Sequence, residues 1–201
     1  MINFIDIEDS KPFHELKKLY ENACKHNQDY VEAMCIGSYS LRNKEISSRF
    51  VNLKFIKNNE FYFFSNYNSP KSLDFKNHSQ ITSTFFWSRI NSQIRIKGKI
   101  FTADKDISDK HFLSRSIEKN ALAISSKQSE KISSYNEVIN NYESTLNFLK
   151  NSKELNRPDY WGGFYFIPYY FEFWIGNKYR INQRKEFFHG DNGWEENILQ
   201  P

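Results

Sequence analysis

The sequence predicts a mainly β (α+β) protein, a small antiparallel β-barrel with helices at its ends and edges. Three observations carry that expectation. Short runs rich in Phe, Tyr, Ile and Trp alternate with period two and are bounded by Asn, Gly, Ser and Pro. Neighbouring runs are joined by turns of a few residues, as in a meander. Helical periodicity is confined to a few stretches between or before these runs, and strand runs arriving as meanders favour a barrel over layered helices.

Taken in order, Ser10 followed by Pro12 reads as a helix start, with a capping hydroxyl and then a proline whose missing N–H does no harm. Phe13, Leu16, Leu19, Tyr20 and Ala23 form the apolar stripe of a helix to about Lys25. Residues 1–29 are therefore expected as an N-terminal helical segment and 30–201 as the barrel domain. Glu32 to Tyr39, Glu45 to Ile56 and Phe61 to Asn66 read as three strands, turning at Arg42-Asn43-Lys44 and Asn58-Asn59.

Ser69-Pro70-Lys71 opens a short helix to about His78, and Ile81 to Trp87 and Gln93 to Phe101 are two further strands. On the second of these, Gln93, Arg95 and Lys97 share a face and Ile94 and Ile96 take the other. Ser108 opens a helix through Phe112 to about Arg115, while residues 116–131 lack clean periodicity and contain Ser125-Ser126-Lys127-Gln128-Ser129, a polar, donor-rich loop. Val138, Ile139, Tyr142, Leu146 and Leu149 mark a long amphipathic helix, and Asn151 to Asp159 reads as a polar connection. A last strand pair through Phe187 and Trp194 turns at Gly190-Asp191-Asn192-Gly193.

The most aromatic stretch, Trp161 to Arg184, reads as two strands separated by Pro168, with Gly162 and Gly163 loosening the backbone at its start. Alternation sets Tyr170, Glu172 and Trp174 against Tyr169, Phe171 and Phe173. Continued past Gly176-Asn177, it points Arg180, Asn182 and Arg184 one way. Two arginines beside a tryptophan suit a flat anionic ligand, although a half-buried strand with a solvated cationic face is the commoner arrangement. Lys71 is similarly open: a lysine in a first helical turn opposes the helix dipole unless an anion sits there, or it is an ordinary surface lysine.

The totals exclude several classes. Of 201 residues, 17% are aromatic, with Phe 19 and Tyr 12, so one domain with a ring-built core is expected. The net charge of +4, from 28 basic and 24 acidic residues, is mild and unclustered, which argues against nucleic acid. No apolar run reaches membrane length and the N-terminus is acidic where a signal peptide is basic, so a cytoplasmic protein with reduced Cys24 and Cys35 is expected. The histidines show no metal-ligand spacing, and no metal is expected. What accumulates is a scatter of cations and amides beside strands: Arg49, Lys54, Lys71, Gln93, Arg115, Gln128, Ser129, Arg180 and Arg184. Such a set suits two anions and a hydrogen-bonding ring.

Eight segments resemble, in order and spacing, the pyridoxine/pyridoxamine 5′-phosphate oxidase family over about residues 30–201. They are RFVNLK (49–54), FFSNYNSPK (63–71), FFW (85–87), SQIRIKG (92–98), HFLSR (111–115), SKQS (126–129), RPDYWGGF (157–164) and FEFWIGNKYRINQR (171–184). The resemblance implies an FMN-binding split β-barrel that works as a homodimer with FMN at the subunit interface. It also implies hydride transfer from substrate to the flavin and reoxidation by O₂, giving H₂O₂ and pyridoxal 5′-phosphate.

Carried over motif by motif, Arg49, Lys71, Gln128 and Ser129 would hold the FMN phosphate and ribityl chain. Phe50, Val51 and Lys54 of the first segment, with Phe64, Ser65, Gln93, Trp174 and Arg184, would line the flavin. Lys54, His111, Arg115, Lys119, Arg180 and Asn182 match substrate-side positions, of which Arg180 and Asn182 would be catalytic. The departures gather on that side. His111 stands for a phosphate-binding Tyr, Lys119 for a Ser, and Asn182 for the His of an arginine-leucine-histidine triplet. Pro70 replaces an Arg of the FMN phosphate loop, which reads as a flavin half mostly intact and a substrate half edited. Ala123-Ile124-Ser125-Ser126 and the Leu199-Gln200-Pro201 end resemble the family's phenazine-biosynthesis branch, so oxidation of a reduced aromatic precursor is the alternative, with a non-catalytic flavin-binding protein as a third.

Overall fold

Alternation of large rings with polar residues makes strands, and a ring on one face of a strand must find rings on the next. In the computed structural model, which describes residues 1–152 and 155–201, ten strands satisfy that need in one mixed sheet. They are β1 (Asn3–Ile5), β2 (Ala33–Ser40), β3 (Glu45–Asn52), β4 (Phe55–Lys57), β5 (Glu60–Asn66), β6 (Gln80–Trp87), β7 (Ser92–Thr102), β8 (Trp161–Ile175), β9 (Gln183–Gly190) and β10 (Gly193–Leu199). Five α-helices surround them: α1 (Lys11–Lys25), α2 (Pro70–Asn77), α3 (Lys105–Ser114), α4 (Ile117–Ser125) and α5 (Tyr135–Asn151). The strand order is β1-β4-β5-β8-β7-β6-β2-β3, and β9 and β10 branch from β8. The far strand β3 returns beside β5, which curls the sheet into a barrel. The expected mainly β barrel with peripheral helices is the fold observed.

The split in the barrel is built into β8. Its first half, through Phe166, pairs with β5, and its second half, from Tyr170, pairs with β9 on the same edge. Along the other edge β7 pairs with both halves, with a register shift between Lys97 and Gly98. Pro168, expected to separate two strands, instead sits inside one strand in the gap between β5 and β9, where a missing N–H is least costly. Its partner Gly98 is required there, since a Cβ would come within 2.8 Å of the Ile167 carbonyl oxygen. Gly162 and Gly163, expected to loosen the backbone at the start of the stretch, lie within β8 and pair with Ser65 and Phe64 of β5.

The core is ring-built as expected. Phe13, Phe61, Phe166, Phe171 and Phe173 are at most 1% exposed, and α1 closes one side by setting Phe13 edge-on to Phe171 at 5.5 Å. The N-terminal segment shares this core through Ile2, and β1 runs parallel to β4, a strand missing from the expected helical segment.

Four further expectations change. Glu45 to Ile56 is two strands because the chain switches partner at Leu53-Lys54, from β2 to β5. The expected helix at Ser108 starts at Lys105, with Asp104 at its N-cap. Residues 116–131, where no helix was expected, hold α4 ahead of the polar loop, because its inward face is only Asn120 and Ala121, too small and polar to show an apolar stripe. Ser10 and Ser69 stand at N-cap positions, yet neither side chain caps its helix. Residues 153 and 154 of the expected polar connection lie outside the described residues. No described helix is long and apolar enough to cross a membrane.

Candidate functional site

One cavity of about 560 Å³ opens between β3, β5, the start of α2, the α3–α4 junction and the loop after α4. Each wall has a sequence reason. β3 alternates Arg49 and Val51 against exposed Phe50, and the break after Asn52 turns Lys54 into the cavity, its backbone N–H held by the Tyr62 carbonyl at 2.8 Å. β5 contributes Phe64 and buried Ser65. Pro70 starts α2, which puts Lys71 in the first turn, and Lys71 is only 6% exposed. His111, Arg115 and Lys119 follow at intervals of four across the α3–α4 junction. Gln128 and Ser129 come from the loop beyond, where the Gln128 Oε1 accepts from the Ser65 hydroxyl at 3.3 Å and the Asn66 N–H at 3.4 Å.

The electrostatics are one-sided. Arg49, Lys54, Lys71, Arg115 and Lys119 all line the cavity, and among its described lining residues there is no carboxylate. Among the described residues Lys71 donates to the Ser69 hydroxyl alone, at 2.9 Å, and burial, helped by Arg49, pushes its pKa down to about 8. Arg49 donates to Ser38 Oγ at 2.8 Å, which passes the contact to Asp74, and burial lowers its pKa as well. Burial also lowers Lys54, with Lys119 and Arg115 adding to the effect against Glu32.

Arg115 lies 4.4 Å over the Trp161 ring and gives Nη2 to the Lys119 carbonyl at 2.7 Å. Its Nη1 is buried with no partner among the described residues. His111 lies flat on Phe64, and burial, then Arg115, Lys54 and Lys119, hold it neutral with a pKa pushed down to about 4. Uncompensated cations and an orphaned guanidinium nitrogen are the chemistry of a site completed by anions. By their mutual electrostatic influence the cations fall into two groups, Arg49 with Lys71, and Lys54, Arg115 and Lys119 around His111, while Gln128 and Ser129 line the same cavity.

Twelve of the sequence-predicted residues therefore meet in this cavity. Gln93, Trp174, Arg184, Arg180 and Asn182 do not line it. The first three form one cross-strand row, Gln93 opposite Trp174 on β7 and β8, and Trp174 opposite Arg184 on β8 and β9. Arg180 and Asn182 are not on a strand with Arg184, because β9 begins only at Gln183. They belong to a loop in which Arg180 has φ 62° and the Asn182 side chain turns inward, Oδ1 accepting from the Asn177 N–H at 3.0 Å. Arg184 and Asn182 line a second concavity of about 520 Å³ with Ile198, Leu199 and Pro201.

Asn52, Pro70 and Trp161 line the first cavity without having been predicted as site residues. All three sit inside the quoted segments, so the signal was present and only their direction was missing. No group of described His, Cys, Asp or Glu residues could hold a metal ion.

Comparison with known proteins bears on this geometry. Residues 161–201 match the model of the pyridoxine 5′-phosphate oxidase C-terminal dimerisation region. The pyridoxine/pyridoxamine 5′-phosphate oxidase of Bombyx mori is 31% identical over 208 aligned positions, covering 95% of this chain and 80% of that one. The chain belongs to the pyridoxine/pyridoxamine 5′-phosphate oxidase family. The family enzyme of Trichormus variabilis is 32% identical, over 96% of this chain and 90% of its own.

Among solved structures, PhzG from Burkholderia lata, in complex with tetrahydrophenazine-1-carboxylic acid, superposes with a TM-score of 0.89 at 22% identity, covering 96% of this chain and 93% of that one. A pyridoxamine 5′-phosphate oxidase-related, FMN-binding protein of Nostoc punctiforme gives 0.76 at 11%, covering 96% and 99%. At these identities the two share the family's fold.

Proposed function

We propose that the chain is an FMN-dependent oxidase of pyridoxamine or pyridoxine 5′-phosphate that works as a homodimer. One observation carries the reading: a single cavity with two cationic groups and, among the described residues, no lining carboxylate, the second group holding Arg115 Nη1 without a described partner. Two such groups suit a cofactor phosphate and a substrate phosphate. FMN fits the first group, with Arg49 and Lys71 for the phosphate and Gln128 and Ser129 for the polyol. When bound, FMN supplies the hydride acceptor and its reoxidation by O₂ yields H₂O₂.

The protein's own residues bind, orient and neutralise. Lys54, Arg115 and Lys119 hold the substrate phosphate, and the neutral His111 gives it an N–H without adding charge. Phe64 and Trp161 keep the wall flat and dry. The row Gln93, Trp174 and Arg184 lies in or beside the stretch matching the dimerisation region, and in the homodimer it closes the partner's cavity. Gln93 donates to the ring's polar edge there and Arg184 places a fixed positive charge beside it, where charge develops on reduction. Arg180, raised on the exposed 177–181 loop, covers the substrate ring.

The test is turnover. Purified dimer with FMN, given pyridoxamine 5′-phosphate under air, should yield H₂O₂ and pyridoxal 5′-phosphate in equal amounts. Bound flavin with no product sinks the substrate assignment and favours a reduced aromatic carboxylate, the phenazine-type alternative.

A further inference from the structure

On the face carrying Gln93, Trp174 and Arg184, the next row holds the chain's one buried carboxylate among the described residues. Glu172 is 2% exposed, and four donors converge on it. Arg184 gives Nε at 3.0 Å and Nη2 at 2.9 Å to Oε1, while Arg95 gives Nη1 at 2.8 Å and Tyr170 its hydroxyl at 3.2 Å to Oε2. Burial and the neighbouring Glu186 and Glu172 push the Tyr170 phenol upward, so it remains a donor. Arg184 is held a third time through Nη1, which donates to the Gln200 carbonyl at 2.9 Å. A guanidinium has five N–H groups. Three are committed backwards and sideways, and two remain, both on the terminal nitrogens.

We infer that Glu172 is a positioning residue: with the Gln200 carbonyl it aims the free edge of Arg184 at the flavin ring of the partner subunit. The inference rests on the proposed assignment of Arg184 to the flavin. A buried carboxylate clamped between two arginines is a poor source of net stability, because desolvation offsets the attraction. Its geometric effect is large. Left alone, an arginine on a strand has several rotamers, and here one is held from two sides. Arg95 balances the carboxylate's second oxygen, so Arg184 keeps its positive character toward whatever it faces.

The experiment measures FMN affinity and the reduction potential of bound FMN in the intact dimer, for Glu172→Gln, Glu172→Asp and Arg184→Lys. Glu172→Gln sets an amide N–H against the guanidinium, and Glu172→Asp withdraws the carboxylate by one methylene. FMN dissociation constants should rise about ten- to a hundredfold in each, the loss of one charge-assisted hydrogen bond. The potential of the flavin that still binds should move negative, since a loosened cation no longer favours the reduced form. A purely structural Glu172 would lower thermal stability and leave that potential at the wild-type value, and this result overturns the inference. If Arg184→Lys itself changes neither affinity nor potential, the flavin assignment of Arg184 fails and the inference with it. Loss in Arg184→Lys together with wild-type behaviour in both Glu172 variants overturns the positioning role alone.

Discussion

The imidazole of His111 lies face to face with the phenyl ring of Phe64, 3.7 Å between centroids and 14° from parallel. Trp161 continues the parallel set, 5.6 Å from Phe64 and 6.3 Å from His111, with the Arg115 guanidinium over its face. The histidine is thus part of an aromatic wall inside a cationic cavity, and both conditions oppose its protonation.

A pH dependence follows with a definite sign. The unfolded chain takes up the His111 proton near the ordinary histidine value, about 6.5. The folded chain does so only near about 4. Between those values the unfolded state binds more protons, so stability is complete above pH 6.5 and falls as pH drops towards 4. Allowing for solvent screening, the effect is on the order of 1–2 kcal/mol. His111→Phe should remove that share of the slope, read as the difference in urea-denaturation free energy between variant and wild type from pH 7 to pH 4. Parallel curves would show that His111 titrates as an ordinary surface imidazole.

Lys71 gives the opposite kind of dependence, on ligand rather than on fold. Its ammonium is buried at a helix start with no carboxylate against it, and its pKa in the free protein is pushed down to about 8. Above pH 8 the free protein loses this charge, and FMN must bring a proton back as it binds. The FMN dissociation constant should therefore rise above pH 8 in the wild type and stay level in Lys71→Met. At pH 7 the variant should bind FMN about ten- to a hundredfold more weakly. Fluorescence quenching of FMN by apoprotein measures both, and unchanged affinity would make Lys71 a buried structural lysine.

Much of this was legible in the sequence because strands with rings on one face have few ways to pack. The alternation of Phe171 and Phe173 against Glu172 and Trp174 survives intact in β8. What failed was everything depending on a strand's partner. Pro168 read as a break because the sequence shows a missing donor and not the gap between β5 and β9 that tolerates it. Helix α4 was hidden because Asn120 faces inward, where its amide donates to the Phe112 carbonyl at 3.0 Å instead of presenting an apolar stripe. At the site, the family resemblance named twelve residues that converge, but no spacing rule assigns Gln93, Trp174 and Arg184 to a different surface from Arg49. That requires knowing that β7, β8 and β9 are neighbours.

Asn182, expected by position to meet the substrate, has a structural task as well: its Oδ1 accepts the Asn177 N–H, while the Asn177 side chain accepts the Tyr179 N–H. The amide thus ties down the loop in which Arg180 holds its left-handed conformation. Asn182→Ala should speed hydrogen exchange at the Asn177 amide about fivefold, the worth of one neutral hydrogen bond. Asn182→Asp keeps the acceptor and should leave exchange slow. Equal acceleration in both would mean that the loop is held by its backbone alone.

Gly162 links the fold to the cavity most directly. A Cβ there would fall inside the envelope of the Tyr67 hydroxyl, 2.6 Å from Cζ and 3.0 Å from the Ser108 Oγ. Both neighbours are committed. Tyr67 donates to the Gly163 carbonyl at 3.3 Å and stands edge-on to Phe164, while the buried Ser108 hydroxyl accepts the Gly163 N–H at 3.0 Å. Tyr67 also lies in the short connection between Ser65 and Lys71, its N–H bonded to the Tyr160 carbonyl. A methyl at 162 must push Tyr67 outward, and the cavity wall moves with it. Gly162→Ala should cost about 1–3 kcal/mol as an overpacked core site. In a chain of this size that lowers the thermal midpoint by about 2–12 °C. Because the displaced connection carries Lys71, added FMN should raise the midpoint less in the variant than in the wild type. A variant with lowered stability and the full FMN-dependent shift would show that Tyr67 yields without moving the start of α2.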